Sequence, residues 1–176
     1  MDRKSQEWRQ YFIACIAISS VFTSCYAMGW TAPIIIKLRN PKESPLPNQI
    51  TVDEESWIGS LVTIGAIIGP YVSGLVMGKL GRKWALVCTS LPMLTSWSLM
   101  AISTNLPMIY AARVIAGFYV GMSVTVCALY LAEIATTEHR GAVNTSLGVG
   151  MNSGYLLVYS IGPFFSFATV AYIGIV

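Results

Sequence analysis

The chain has 176 residues, 55% hydrophobic and 11% charged, with a formal net charge of +3 and a mean hydropathy of +0.62. A soluble domain carries about 25% charged residues. This composition therefore excludes a disordered chain and a nucleic-acid binder, and it disfavours a soluble enzyme. Cys15, Cys25, Cys88 and Cys127 all fall in apolar runs and are expected to be small buried residues, not a disulfide framework.

A bilayer core about 30 Å thick needs roughly 20 apolar residues of helix, and the charged residues divide this chain into runs of that size. Residues 1–10 carry Arg3, Lys4 and Arg9 and are expected to be a cytosolic N-terminus. The uncharged run 11–36 is too long for a signal-peptide core and predicts a retained first span. Residues 37–55 form the one long loop, with Pro41, Pro45 and Pro47 and the acidic triplet Asp53, Glu54 and Glu55. That triplet reads as a solvated cap at a helix N-terminus. Span two is 57–78. The run 84–132 holds one charge, Arg113, and breaks at Thr104-Asn105-Leu106-Pro107 into spans 84–103 and 107–132. Span five is 142–162, ending at Gly162-Pro163, and a partial sixth is 167–176. A helix of roughly ten residues is too short to cross, so the sequence is expected to be a fragment. The fold class is all-α integral membrane, with five complete spans and the start of a sixth.

Orientation follows from the basic residues. With the N-terminus inside, Arg3, Lys4, Arg9, Lys79, Arg82, Lys83 and Arg140 lie on the cytosolic side, and Lys37, Arg39 and Lys42 lie outside. That asymmetry favours a cytosolic N-terminus and an extracellular 37–55 loop. The sequon Asn144-Thr145-Ser146 then starts a span on the cytosolic side and is not read as glycosylated.

Two charged clusters stand out. Gly74-x-x-x-Gly78-x-x-Gly81-Arg82-Lys83 joins spans two and three in a tight hairpin, where glycines are expected to permit close backbone approach. Tyr130-x-x-Glu133 and Arg140-Gly141 flank the next short loop, placed to pair with the first cluster. Taken alone, both also read as ordinary charged loops.

In order and spacing these motifs resemble the first half of a sugar porter of the major facilitator superfamily. Gly29-Trp30-Thr31-Ala32-Pro33 resembles the end of the family's first helix. Gly74 to Lys83 resembles its loop-two signature, G-x-x-x-D-x-x-G-R-R/K. Arg113-x-x-x-Gly117-x-x-x-Gly121 resembles the fourth helix. Tyr130-Leu-Ala-Glu133-Ile-Ala followed by Arg140-Gly141-Ala142 resembles P-V-Y-x-x-E-I-A…R-G-A-L. The likeness is greatest to trehalose- and glucose-type facilitators, and it covers about residues 10–176.

The resemblance implies the N-terminal six-helix half of a major facilitator fold and facilitative transport of a small sugar by alternating access. It further implies a plasma-membrane location and a cytosolic gate built from Gly74, Gly81, Arg82, Lys83, Glu133, Arg140 and Gly141. The partners it implies are a small sugar, membrane lipid, and either a missing C-terminal half or a second copy. Three departures are visible. The loop-two acid is Gly78, the proline before the tyrosine is Ala128, and the sugar-contacting glutamine of the fifth helix falls on Gly148. Ala27 stands where proton-coupled relatives carry an acid.

Helical periodicity adds a candidate substrate face. Asn144, Gly148, Asn152, Tyr155 and Tyr159 share one side of span five, opposite Ser146, Gly150 and Gly154. In span one Ser19, Thr23, Tyr26 and Trp30 align. Hydroxyls, amides and aromatic platforms suit sugars, so Thr23, Tyr26, Asn152 and Tyr155 are the substrate-binding candidates. An interhelical hydrogen-bond network accounts for the same stripes equally well. Arg113 lies six residues past Pro107, within about 9 Å of the span's end by helix rise, close enough to snorkel; a structural intramembrane charge is expected at least as much as a transport role. Gly65/Gly69, Gly117/Gly121 and Gly150/Gly154 are small-residue pairs expected to pack helices, and Pro70 and Pro92 are expected to kink theirs. The single histidine, His139, has no partners at metal or catalytic spacing, and no phosphate loop is present. No enzyme, metal or cofactor is expected. The alternative function is a non-transporting multispan protein, such as a sugar sensor or scaffold.

Overall fold

The computed structural model describes the backbone of residues 3–40, 46, 49–134 and 140–175. Side chains are described for 14–40, 46, 49–133, 141–142, 145–167 and 169–174. Within these limits the chain is a bundle of α1 (Arg3–Gly29), α2 (Thr31–Arg39), α3 (Val52–Leu80), α4 (Arg82–Ala101), α5 (Leu106–Ile134), α6 (Arg140–Ile161) and α7 (Phe167–Ile175). The cytosolic segment 1–10 and Arg140 therefore lie outside the described side chains, as do His139 and Asn144.

The helix ends follow from local chemistry. Pro33 has no N–H to donate to Gly29, and its ring opposes the Gly29 carbonyl. The first span accordingly breaks at Trp30, whose own N–H still reaches the Tyr26 carbonyl at 3.0 Å. Thr51 begins α3 with a capping box. Its hydroxyl accepts from the Glu54 N–H at 3.3 Å, and the Glu54 carboxylate accepts from the Thr51 N–H at 2.7 Å. Gly81, at φ +82°, ends α3 and starts α4. Ser166 caps α7 through the Thr169 N–H at 3.3 Å. Pro70 and Pro92 sit inside α3 and α4.

Among the described residues, four segments are long and apolar enough to cross a membrane: Ala14–Arg39, Val52–Leu80, Arg82–Ala101 and Leu106–Glu133. The fifth span of the sequence reading, α6, is long enough at 22 residues but is diluted by Thr145, Ser146, Asn152 and Ser153. Helix α2 carries the chain to Arg39, so Lys37 and Arg39 belong to a helix and not to the loop.

Helix α5 is central and packs against α3, α4 and α1, while α6 packs on α1 and α7 on α4. Where lipid is the alternative partner, helix association rests on close van der Waals packing, and glycine supplies it here. A methyl group built on Gly69 would stand 2.5 Å from the Phe118 carbonyl oxygen, and one on Gly121 2.5 Å from that of Ala66. Gly65 and Gly117 press equally close on the Val114 and Val62 carbonyls, and Gly154 on that of Phe22. The core gathers where α1 gives way to α2, around Trp30, Ile34, Leu38, Ile58, Trp97, Ile109 and Val170. Elsewhere the surface is apolar, with Ile67, Tyr71 and Leu75 of α3 and Val87 and Leu91 of α4 all exposed.

Two expectations need correction. Cys25 and Cys127 are buried, but Cys15 is exposed and Cys88 partly so, because apolar runs in a membrane bundle have an outside as well as a core. Among the described residues, Gly74 and Gly78 have nothing within 4 Å of where a Cβ would stand, so they serve no close approach there; of the three, Gly81, by its positive φ, needs to be glycine for the turn.

Candidate functional site

The α6 stripe divides as its periodicity requires. Gly150 meets Ile18, and Gly154 meets Phe22 and Cys25, so that side is fastened to α1. The opposite side is open. Thr145, Gly148, Asn152 and Ser153 line a groove there, together with Val149 and Leu156. Asn152 is exposed, and its amide donates to the Gly148 carbonyl at 2.7 Å. Tyr155 is half-buried and leans on α1 beside Gly29. Its hydroxyl donates to the Met28 sulfur at 3.4 Å, and its ring stacks on Tyr159 with centroids 6.2 Å apart and planes 21° apart. Asn152, Tyr155 and Tyr159 thus combine an amide with a partly open aromatic platform.

The span-one stripe lies elsewhere. Tyr26 is 2% exposed, its hydroxyl donates to the Val170 carbonyl at 2.9 Å, and its ring packs against Trp97 at 5.5 Å. Trp30 is fully buried, edge-on to Phe167 at 5.4 Å. Thr23 bonds the Tyr119 hydroxyl, which also donates to the Ser20 carbonyl at 2.8 Å. Ser20 and Ser123 are joined at 2.8 Å, and the Cys127 thiol reaches the Ala17 carbonyl at 3.2 Å. This side of α1 faces α5 and α7. Asn152 therefore lies in the α6 groove, Tyr155 against α1, Thr23 in a second groove between α1, α4 and α5 with Ser19, Ser90 and Tyr119, and Tyr26 in the core, so the structure does not gather the four candidates into one groove.

Arg113 does not snorkel, contrary to expectation. It is 1% exposed and donates to the Ala27 carbonyl at 3.0 Å, to the Ile58 carbonyl at 3.3 Å and to the Thr31 hydroxyl; its guanidinium lies 5.3 Å from the Trp30 ring centroid. Five N–H donors on a planar fork suit such divergent acceptors. One side chain of α5 thereby ties down both sides of the α1–α2 break and the start of α3. Two further cations hold α2. Lys37, 6% exposed, donates to the Phe165 carbonyl, and Arg39 forms a fork with Glu55 at 2.5 and 2.6 Å. The acidic triplet is therefore not wholly a solvated cap: Glu54 caps the helix, but Glu55 pairs with Arg39 and is nearly buried. Sequence reasoning missed Lys37 and Arg39 because it placed them in a loop. The signal available for Lys37 was its i+3 spacing from Ile34, with Leu38 at i+4, which continues the buried helical face; Arg39 lies off that face and gave no such signal.

At the other end of the bundle Arg82 reaches the Glu133 carboxylate by three contacts of 2.7, 2.9 and 3.1 Å, both side chains being about half exposed. The two clusters do meet through this pair. Lys83 is exposed, Gly141 has nothing within 4 Å of where a Cβ would stand among the described residues, and the Arg140 side chain lies outside them.

An apolar-surfaced helical bundle with cations buried between helices defines a multi-pass membrane protein, and its α1–α6, α3–α5 and α4–α5 packing is that of half a major facilitator fold. The chain belongs to the family of sugar (and other) transporters, whose family model matches residues 11–172. It is similar to the facilitated trehalose transporter of Apis mellifera ligustica, with 29% identity over 99% of this chain and 34% of that protein. It is also similar to the facilitated glucose transporter member 8 of Bos taurus, with 30% identity over 96% of this chain and 35% of that protein. The inward-open xylose transporter XylE of E. coli shares the fold at a TM-score of 0.76 and 19% identity, over 94% of this chain and 47% of that one. The chain thus spans about a third of the length of the curated relatives it matches.

Proposed function

We propose that residues 1–176 supply one half of a facilitative carrier for a small sugar, trehalose or a hexose, that works by alternating access. The observation that carries this reading is the division of α6. Gly150 and Gly154 pack on α1 and Tyr155 leans on it at Met28 and Gly29, while Asn152 and Tyr159 stay exposed, in a chain matched by the sugar transporter family model. Polar groups facing lipid are unfavourable, so this side is the one a second half would cover, with sugar held between the halves. The names of the relatives support the substrate class, and the 47% coverage of the xylose transporter XylE supports the need for a second half.

Asn152 and Tyr155 are the proposed sugar contacts. Thr23, in its own groove between α1, α4 and α5, is a further proposed contact, and Tyr26 acts from the core through its hydrogen bond to the Val170 carbonyl. The Arg82–Glu133 fork, with Gly74, Gly81, Lys83, Arg140 and Gly141, is the proposed gate; the basic-residue asymmetry supports a cytosolic position for it and for the N-terminus, and the family resemblance supports a plasma-membrane location. Ala27 gives the first span no proton-accepting side chain, which supports uniport over proton coupling.

The test is sugar competition in the carrier assembled with its second half. Asn152→Leu and Tyr155→Ala should each weaken competition by trehalose or glucose about tenfold, the scale of one lost polar or stacking contact of about 1.4 kcal/mol. Ser160→Ala, on the margin of the same face, should not. Equal effects at all three positions would reassign the stripe to packing.

A further inference from the structure

We propose that the α3–α4 turn is a docking site for the headgroup of an anionic phospholipid, with Lys79 and Lys83 as its two ammonium donors. The turn has three cations within five residues, Lys79, Arg82 and Lys83, and no acid, since position 78 is glycine. Arg82 is committed to Glu133 through its three contacts. Lys79 and Lys83 are exposed and have no partner among the described residues. Gly81, at φ +82°, reverses the chain in a single residue, so the two lysines flank one turn.

Depth selects a lipid over a soluble anion. The turn joins the ends of two membrane-crossing segments, Val52–Leu80 and Arg82–Ala101. Leu80 is 56% exposed and Trp84 60% exposed, each beside one of the lysines. Exposed tryptophan settles at headgroup level, and lysine stems lie along apolar surface while the ammonium reaches for phosphate. The start of α4 agrees in sign: Arg82 and Lys83 occupy its first turn with no acid and no side-chain cap, the reverse of what the helix dipole favours. An anion seated between the lysines offsets that repulsion. The site needs only a bilayer edge, so it is independent of which way the chain is inserted.

The test uses the whole chain in nanodiscs of phosphatidylcholine with one tenth phosphatidylserine, followed by native mass spectrometry of the lipids retained. At roughly fivefold per lysine near a charged surface, phosphatidylserine should be retained well above its share of the bilayer. Lys79→Gln with Lys83→Gln should bring retention down to that share, and Lys79→Arg with Lys83→Arg should keep it. Both lysines are exposed, so insertion should survive; if the glutamine pair fails to insert, the same comparison is made on unmodified chain in about 0.5 M salt, which should abolish the preference. Equal retention of the two lipids, a preference that survives in the glutamine pair or in salt, or displacement of phosphatidylserine by millimolar inorganic phosphate would each overturn the proposal.

Discussion

Alanine at Gly121 probes the seam on which the bundle depends. Its methyl group would stand 2.5 Å from the Ala66 carbonyl oxygen and 2.9 Å from Pro70 Cδ, with neither neighbour a flexible side-chain tip. Carbon contacts settle near 3.5–4.0 Å, so α3 and α5 must separate by about 1 Å along a line where Gly69 and Phe118 are equally close. Overpacking of this kind costs about 1–3 kcal/mol. The control is Gly74→Ala, on the same α3, where nothing stands within 4 Å of the new methyl. Both substitutions gain about 0.8–1.0 kcal/mol of helix propensity, so their difference isolates the clash. Equilibrium unfolding in mixed dodecyl maltoside and SDS micelles, followed by tryptophan fluorescence, should place Gly121→Ala below Gly74→Ala by that amount, a roughly five- to 150-fold difference in the folded-to-unfolded ratio. Two alanines within about 0.5 kcal/mol of each other, on the scale of an ordinary surface change, would refute the seam.

Arg113→Lys keeps a buried charge that reaches fewer of the three acceptors, whereas Arg113→Met removes the charge and keeps the length. Because desolvating a cation costs several kcal/mol, the lysine variant should unfold more readily than the methionine variant, and the opposite order would mean that the charge itself stabilises the bundle. Reversing Arg82 or Glu133 alone sets like charges together and should speed hydrogen exchange around Gly81; Arg82→Glu combined with Glu133→Arg should restore protection, and a double variant as fast as the single ones would dissolve the pair. A glycosylation sequon inserted near residue 47 should be modified in microsomes and one inserted next to Arg82 should not, with the reverse pattern rejecting the proposed orientation.

The long apolar helices and the small-residue pairs were legible because both rest on local arithmetic. Uncharged length selects a crossing, and glycine at i and i+4 marks one flank of a helix whatever packs there. Gly65, Gly69, Gly117, Gly121 and Gly154 accordingly lie against backbone. The polar stripes were legible as faces but not as surroundings. Asn152 opens outward, whereas Tyr26, on an equally regular stripe, is sealed by α7 through the Val170 carbonyl. Periodicity says which residues look the same way and is silent on what they look at. Arg113 was misread for a related reason. Helix rise measures its depth, but the acceptors that hold it belong to Ala27, Thr31 and Ile58, far away in sequence. Lys37 was missed because a charge was taken to end the helix, when the Phe165 carbonyl waits for it inside the bundle.

Uptake of labelled trehalose and glucose into liposomes tests the central claim most directly, with this chain reconstituted alone and together with a matching C-terminal half. The account predicts no saturable uptake by the chain alone and saturable uptake, insensitive to protonophore, when both halves are present. Saturable uptake by residues 1–176 alone, or none from the paired halves when both are inserted, would contradict it.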